Sequence, residues 1–270
     1  MNSGSLSFVM LLASSVVAAA KPVGRSVEDQ PATAPLSPEE SMQRFRLPAG
    51  FGIELVAAEP MIREPVALSW DGNGRMFVVE MRGYMQSIDA DGAQDPVGRV
   101  SLLEDTDGDG EMDKHSVYLD RLVEPRAVLA IDDGVLVGEP PRLWFCRDTD
   151  GDGEADTREL VYDRFSMRDS NVEHKANGLT WGIDNWIHVS QHGRRSRYFE
   201  GKFRHERVPT IGQWGLARDN WGRLVFSSNS NPAIGLFVPP RYFGSGADKD
   251  AHRSSMSAVR PLGDHGSVWP

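Results

Sequence analysis

Apolar residues from Phe51 onward come in short runs, and Gly, Asp, Asn or Pro interrupts them every few positions. That punctuation predicts many brief strands joined by tight turns. The chain before Phe51 is patterned differently. Phe8 to Ala20 (FVMLLASSVVAAA) is a continuous apolar run of thirteen residues. Lys21 to Leu36 is rich in Pro, Ala and charge without periodicity, and reads as a linker. Ser37-Pro38-Glu39-Glu40 has the spacing of a capping box with Pro at the first helical position, so a short helix is expected to about Phe45.

One stretch recurs. Leu68-Ser-Trp-Asp-Gly-Asn-Gly-Arg-Met-Phe-Val and Leu216-Ala-Arg-Asp-Asn-Trp-Gly-Arg-Leu-Val-Phe share a frame of strand, polar turn and strand. Leu179-Thr-Trp-Gly-Ile-Asp-Asn-Trp-Ile-His-Val fits it too, and Val128-Leu-Ala-Ile-Asp-Asp-Gly-Val-Leu-Val fits more loosely. Each copy is a β-hairpin. The copies start 60, 51 and 37 residues apart, close to one four-stranded propeller blade with loops of variable length. The expected fold is therefore all-β, a β-propeller of the six-bladed type, incomplete in this chain, behind a short N-terminal helix. Residues 37–243 would hold the blades. The polar segment 244–270 reads as the truncated continuation of the propeller.

Composition narrows the classes. Apolar residues make up 40% and charged residues 25% of the 270, which is globular, and the formal net charge of −10 argues against nucleic acid as a partner. The run Phe8–Ala20 is too short to span a membrane but has the length of a signal-peptide core, and small residues precede Lys21. Residues 1–20 are thus expected to be a signal peptide, 21–36 a linker, and the protein exported to a periplasm or the exterior, with no membrane span. The single cysteine, Cys146, excludes an internal disulfide, a Cys-x-x-Cys-His haem attachment and every multi-cysteine zinc site, so no haem is expected in this chain.

Two acidic stretches carry candidate chemistry. Asp105-Thr-Asp107-Gly-Asp109-Gly-Glu111-Met-Asp113 recurs 43 residues later as Asp148-Thr-Asp150-Gly-Asp152-Gly-Glu154-Ala-Asp156. Carboxylates at positions one, three, five and nine with glycine at six are the ligand spacing of a calcium loop, because the ion takes six to eight hard oxygens. Glu111 and Glu154 would offer backbone carbonyls. Position twelve is Glu159 in the second copy and Ser116 in the first, which predicts tighter binding by the second. Strand-like flanks make these loops hairpin connections rather than EF-hands.

The repeat frame also predicts a polar ring. Four and five residues before the four hairpin starts stand Arg63-Glu64, Val123-Glu124, His174-Lys175 and Ile211-Gly212. Equivalent positions converge around a propeller's tunnel, so Arg63, Glu64, Glu124, Arg126, His174 and Lys175 are expected to meet at its mouth. Arg63, Arg126 or Lys175 would orient a substrate or cofactor. Glu64, Glu124 and Asn177 are the carboxylate-and-amide set that lactone hydrolysis by a calcium-centred propeller would need. His188, His192 and His205 lack a carboxylate at matching spacing, which argues against a transition-metal site. Arg194-Arg195-x-Arg197 is a basic spot expected on a solvated loop.

LSPEESMQRFRLPAGFGIELVAAEP, VVEMRGY, LLEDTDGDG and HKANGLTWGIDNWI, in this order, resemble the N-terminal propeller of the bacterial "putative membrane-bound dehydrogenase" family over about Leu36 to Phe243. That family is similar to soluble quinoprotein glucose and aldose-sugar dehydrogenases, six-bladed propellers that use pyrroloquinoline quinone and calcium. The resemblance implies a dehydrogenase acting on a sugar or polyol, with His174, five residues before Leu179, as general base. It also implies a haem electron acceptor on another chain. The quinoproteins carry an Arg-Asn pair where this chain has Ile211-Gly212, a departure at the quinone site. The other expectation is a non-catalytic, calcium-stabilised propeller that binds carbohydrate or protein.

Overall fold

The computed structural model describes residues 34–167, 170–229, 231–236, 238–239, 242 and 256–258. Residues 1–33, with the expected signal peptide and most of the linker, lie outside them. Helix α1 spans Pro38–Met42, capped at Ser37 by a complete capping box with Glu40. It ends a little before Phe45, and Gln43 is its C-cap.

Sixteen strands follow among the described residues, in four antiparallel meanders. Blade 1 is β1 (Pro65–Trp70), β2 (Met76–Glu80), β3 (Gly98–Glu104) and β4 (Lys114–Leu122). Blade 2 is β5 (Ala127–Ile131), β6 (Gly134–Glu139), β7 (Arg142–Arg147) and β8 (Thr157–Tyr162). Blade 3 is β9 (Asn177–Trp181), β10 (Ile187–Ser190), β11 (Arg194–Phe199) and β12 (Lys202–Arg207). Blade 4 is β13 (Trp214–Arg218), β14 (Leu224–Ser228), β15 (Asn231–Leu236) and β16 (Met256–Ala258). Successive inner strands pack β1 on β5, β5 on β9 and β9 on β13. This is a β-propeller arrangement with four blades among the described residues, not six. Within the polar segment 244–270, expected to continue the propeller, β16 pairs with β15 as the fourth strand of blade 4.

The recurring frame is the first hairpin of each blade, and its polar residues close the turns. Asp71 accepts the amides of Asn73 and Arg75, and its other oxygen holds the Arg75 side chain at 2.7 Å. Asp219 does the same for Trp221, Arg223 and the Arg223 side chain at 2.6 Å. An Asx turn locks the reversal at each site.

Blades stack face to face, so second strands are buried on both sides. All five residues of β2 are buried, which hides the period-two alternation a half-exposed strand shows. Phe77, Val79, Leu102 and Tyr118 of blade 1 meet Val128, Val135, Val137 and Cys146 of blade 2. Leu136 and Phe145 of blade 2 meet Leu179, Ile187 and Val189 of blade 3, with Phe165 between them. Val56, Ala57, Met61 and Ile62 pack against blade 1 beside Met76, Val78 and Leu103. Near the axis the backbones come closer still. A Cβ on Gly178 would lie 2.9 Å from the Gly215 carbonyl carbon, and its φ of +62° is one that glycine adopts without strain.

The acidic loops join strands three and four of blades 1 and 2, as expected, and each ties its blade to the preceding element. The Met112 amide donates to the Val56 carbonyl at 2.8 Å, and Met112 is buried beside Val56. In the second loop the Ala155 amide donates to the Tyr118 carbonyl at 2.8 Å, and the Ser116 hydroxyl donates to the Gly153 carbonyl. The eighth residue of each loop thus plugs a seam.

Candidate functional site

Three consecutive residues at the start of every inner strand, Arg126 standing just ahead of β5, line one central cavity of about 430 Å³. They are Val66-Ala67-Leu68, Arg126-Ala127-Val128, Asn177-Gly178-Leu179 and Trp214-Gly215-Leu216. Met81, Tyr84 and Val172 complete the wall. The middle positions are all Ala or Gly, which leaves the volume open, and the third positions are apolar. Chemical character therefore comes from the first positions, where Arg126 is the one cationic side chain among the described lining residues.

The expected polar ring forms only in part. Arg63 and His174 are exposed, Glu64 is half-buried, and Glu124, Arg126, Lys175 and Asn177 are buried. Arg63 reaches the ring region through its backbone, donating its amide to Glu80 at 2.7 Å. The equivalent amide of Val123 donates to Glu139 at 2.9 Å. Buried carboxylates ending the second strands thus fix these backbones. Burial works to raise the Glu80 carboxyl, but Ser101, Arg99, the Arg63 amide and Arg82 outweigh it and hold it below the usual range.

Glu124 and Asn177 are committed to structure. Glu124 accepts Lys175 Nζ at 2.5 Å and Gln94 Nε2 at 2.9 Å. Asn177 donates to the carbonyls of Lys175 and Gln213 and accepts the Gly215 amide, which bridges blades 3 and 4. Of the lactonase set, Glu124 and Asn177 are thus held in structural bonds, while Glu64 accepts Gln86 through Oε1 and keeps Oε2 buried without a hydrogen-bond partner among the described residues. Arg126 donates through Nη1 to the Val172 carbonyl at 2.6 Å, while Nη2 is buried without a hydrogen-bond partner, 3.9 Å from Glu124. Burial lowers its pKa, opposed by Glu124 and Tyr84.

His174 ends a 3-10 turn, Val172–His174, whose first residue lines the cavity. Ile211 is buried in the blade-4 core, and Gly212 lies against the Ser190 hydroxyl. Pyrroloquinoline quinone bears three carboxylates, and this wall offers Arg126 alone, with Lys175 fully buried on Glu124 and Arg63 outside the lining. The residues present do not fit that group.

In the acidic loops Asp105, Asp107 and Asp109 gather within 4.8 Å, and so do Asp148, Asp150 and Asp156. Asp105 accepts the amides of Gly108 and Gly110, and Asp148 those of Gly151 and Gly153. Amides of Gly110 and Gly108 hold the Asp105 carboxyl below its ordinary range. Asp113 and Asp156 each accept both the amide and the hydroxyl of the loop threonine, Thr106 or Thr149. Asp109 and Asp152 accept the amides of Glu111 and Glu154. Glu159 corrects the expected ligand set: it sits on β8 facing Arg147 at 3.4 Å, away from the loop centre. Its counterpart Ser116 bonds the other loop instead. The oxygen-rich sets that remain suit a hard divalent cation.

The basic spot is a strand, β11, rather than a solvated loop. Arg195 is buried between Glu206 and Asp184, while Arg194 and Arg197 lie over Tyr162 and Phe199. His188 faces Asp184 at 3.3 Å, His192 packs on Tyr162 and Phe165, and His205 faces Ser196.

The model of the family described as "Domain of unknown function (DUF7133)" matches residues 37–265. The chain belongs to that family. No curated protein matches it. The DUF7133 domain is similar in structure to a protein assigned as a gluconolactonase, at TM-score 0.44 and 15% identity over 66% of this chain and 59% of that one. It is also similar to the calcium-binding protein regucalcin from Agrobacterium tumefaciens, at 0.41 and 12% over 71% and 57%. A streptogramin B lyase follows at 0.39 and 13%, over 78% and 73%. The domain thus spans under two thirds of the first two of these chains. Identities this low say nothing about which residues act here.

Arg126 and Asn177 of the cavity wall were among the residues expected from sequence, whereas Val66 and Trp214 were missed, though the signal for them was present. Val66, Arg126, Asn177 and Trp214 stand two residues before the four hairpin starts, and shifting the frame from five to two finds them all. Tyr84, Met81 and Val172 lie outside the repeat and left no such trace.

Proposed function

We propose that this domain is a ligand-binding propeller whose central cavity receives a small molecule and whose two acidic loops each hold calcium. The observation that carries the reading is the convergence of equivalent inner-strand positions on one cavity of about 430 Å³, a volume suited to a small organic ligand. Asp105, Asp107 and Asp109 would hold one ion, and Asp148, Asp150 and Asp156 the other. Calcium supplies charge neutralisation there, drawing together carboxylates that the loops present side by side. The neutral probe 3-phenylpropanol tests the cavity by saturation-transfer NMR. Transfer is expected in the unaltered protein and not in Val66→Trp, which adds a bulky ring to the lining. Equal transfer in both, or none in either, sinks the reading.

A second reading follows from the resemblance to membrane-bound dehydrogenases, in which the domain oxidises a sugar or polyol: His174 takes the hydroxyl proton, a dissociable quinone-type acceptor takes the hydride, and its reduced form passes the two electrons singly to a haem on another chain. Its support here is that His174 shares a single turn with the cavity-lining Val172. A general base contributes about 10²–10⁴-fold, so His174→Gln should lower dye-linked oxidation of sugars and polyols by that order. His192→Gln should do much less, since His192 is packed between Tyr162 and Phe165. Absence of any such oxidation, or an unchanged rate in His174→Gln, removes this reading.

A further inference from the structure

The geometry points to a carboxylate-bearing ligand with an apolar body, seated in the central cavity with its acid group on Nη2 of Arg126. This rests on the ligand-binding reading above and names the ligand's class. A guanidinium carries five N–H donors, and burying one without a partner is costly unless something else completes it. Arg126 keeps one side on the Val172 carbonyl, while its Nη2 has no acceptor among the described residues. The nearest carboxylate is Glu124, whose two oxygens already take Lys175 and Gln94, and it stands 3.9 Å off. Arg126 lines the cavity wall but is only 5% exposed, and Nη2 itself has almost no accessible surface, so the guanidinium turns toward the cavity when a ligand's acid group completes it.

The rest of the wall decides against other classes. A sugar needs acceptors and donors for each hydroxyl, but Asn177 has spent its amide on backbone groups. Leu68, Val128, Leu179 and Leu216 offer it nothing polar, and Tyr84 and Trp214 add one O–H and one N–H, too few for a sugar's ring of hydroxyls. A phosphate dianion would want more than one cation, and Arg126 is the only one among the described lining residues. A single carboxylate matches a single guanidinium edge, and the apolar floor matches a hydrocarbon or aromatic body. Trp214 and Tyr84 stand on the same wall to meet it.

Calorimetry with three matched probes tests this: 3-phenylpropanoate, 3-phenylpropanamide and 3-phenylpropanol, with glucose and inorganic phosphate beside them. The carboxylate is expected to bind at least tenfold tighter than the amide or the alcohol, and glucose and phosphate to bind far more weakly. Arg126→Gln should erase that preference while leaving the alcohol's affinity in place, provided its melting shows a folded protein. The three-probe comparison in the unaltered protein needs no variant. Equal affinity for all three probes overturns the ligand class but keeps the cavity reading. Tighter binding of glucose or phosphate overturns it as well, in favour of that class. A preference that survives in folded Arg126→Gln removes Arg126 from the site. Failure of every probe, the alcohol included, defeats the cavity reading itself.

Discussion

Lys175 is wholly buried with its ammonium on Glu124, in a position where the sequence pattern pointed to a solvent-facing rim. The residue types were legible there, since Glu and Lys stood in register across two repeats. Their orientation was not, because a one-dimensional frame does not say how far down the strand the tunnel narrows. The residues two before the hairpin starts, not those four and five before, line the cavity. A buried ion pair is weak evidence for stability, but breaking it is expensive because the surviving charge stays out of water. Lys175→Met is accordingly expected to cost about 3 kcal/mol or more, read as a lower urea midpoint with an unchanged slope. An exposed charge gives the contrast: Lys114→Met, which loses only a surface pair with Glu104, should change stability by roughly 0–1 kcal/mol. Similar losses for the two would mean that Lys175 is not buried as described.

Hairpins were the most legible elements, because an Asp that accepts two turn amides leaves its mark at fixed spacing. Both acidic loops were legible for the same reason, and so was their place between strands. What the spacing could not show was the direction of Glu159, since a strand residue alternates faces and this one turns to Arg147. Nor could it show that Met112 and Ala155 plug the seams beside them. Calcium on these loops should therefore stiffen contacts between elements. After chelation, calorimetric titration is expected to give two sites and a raised melting temperature. Asp105→Asn should remove one site and Asp148→Asn the other, whereas Glu159→Gln should leave both. No heat of binding, or a site lost with Glu159→Gln, would contradict the assignment.

Across the whole molecule the propeller arrangement was readable from the spacing of four similar hairpins, and each marked one of the four blades described. The six-bladed type was not in that spacing, which counts hairpins and says nothing of how a ring closes. Burial between blades also sets how the protein responds to acid. Burial, aided by Arg194 and His205, pushes His192 down to about 4 from an ordinary 6.5. Burial likewise lowers His188 and His205. The unfolded chain binds these protons first, so stability is full above about pH 6.5 and falls as pH drops toward 4. For His192 the loss is up to roughly 3 kcal/mol. Urea midpoints measured from pH 7.5 to 4 should decline across that window, and His192→Phe should flatten the decline. A flat profile in the unaltered protein would refute the burial of these rings.

The backward reach of the acidic loops has a consequence for how the chain is made. Met112 closes onto Val56, and Ala155 onto Tyr118, so each latch fastens to residues that leave the ribosome before it does. A nascent chain that has emerged as far as Tyr162 already holds both ends of both latches. Order of synthesis and order of closure then coincide for the first half of the domain: the second sheet, once finished, seals the first without waiting for the remainder of the chain.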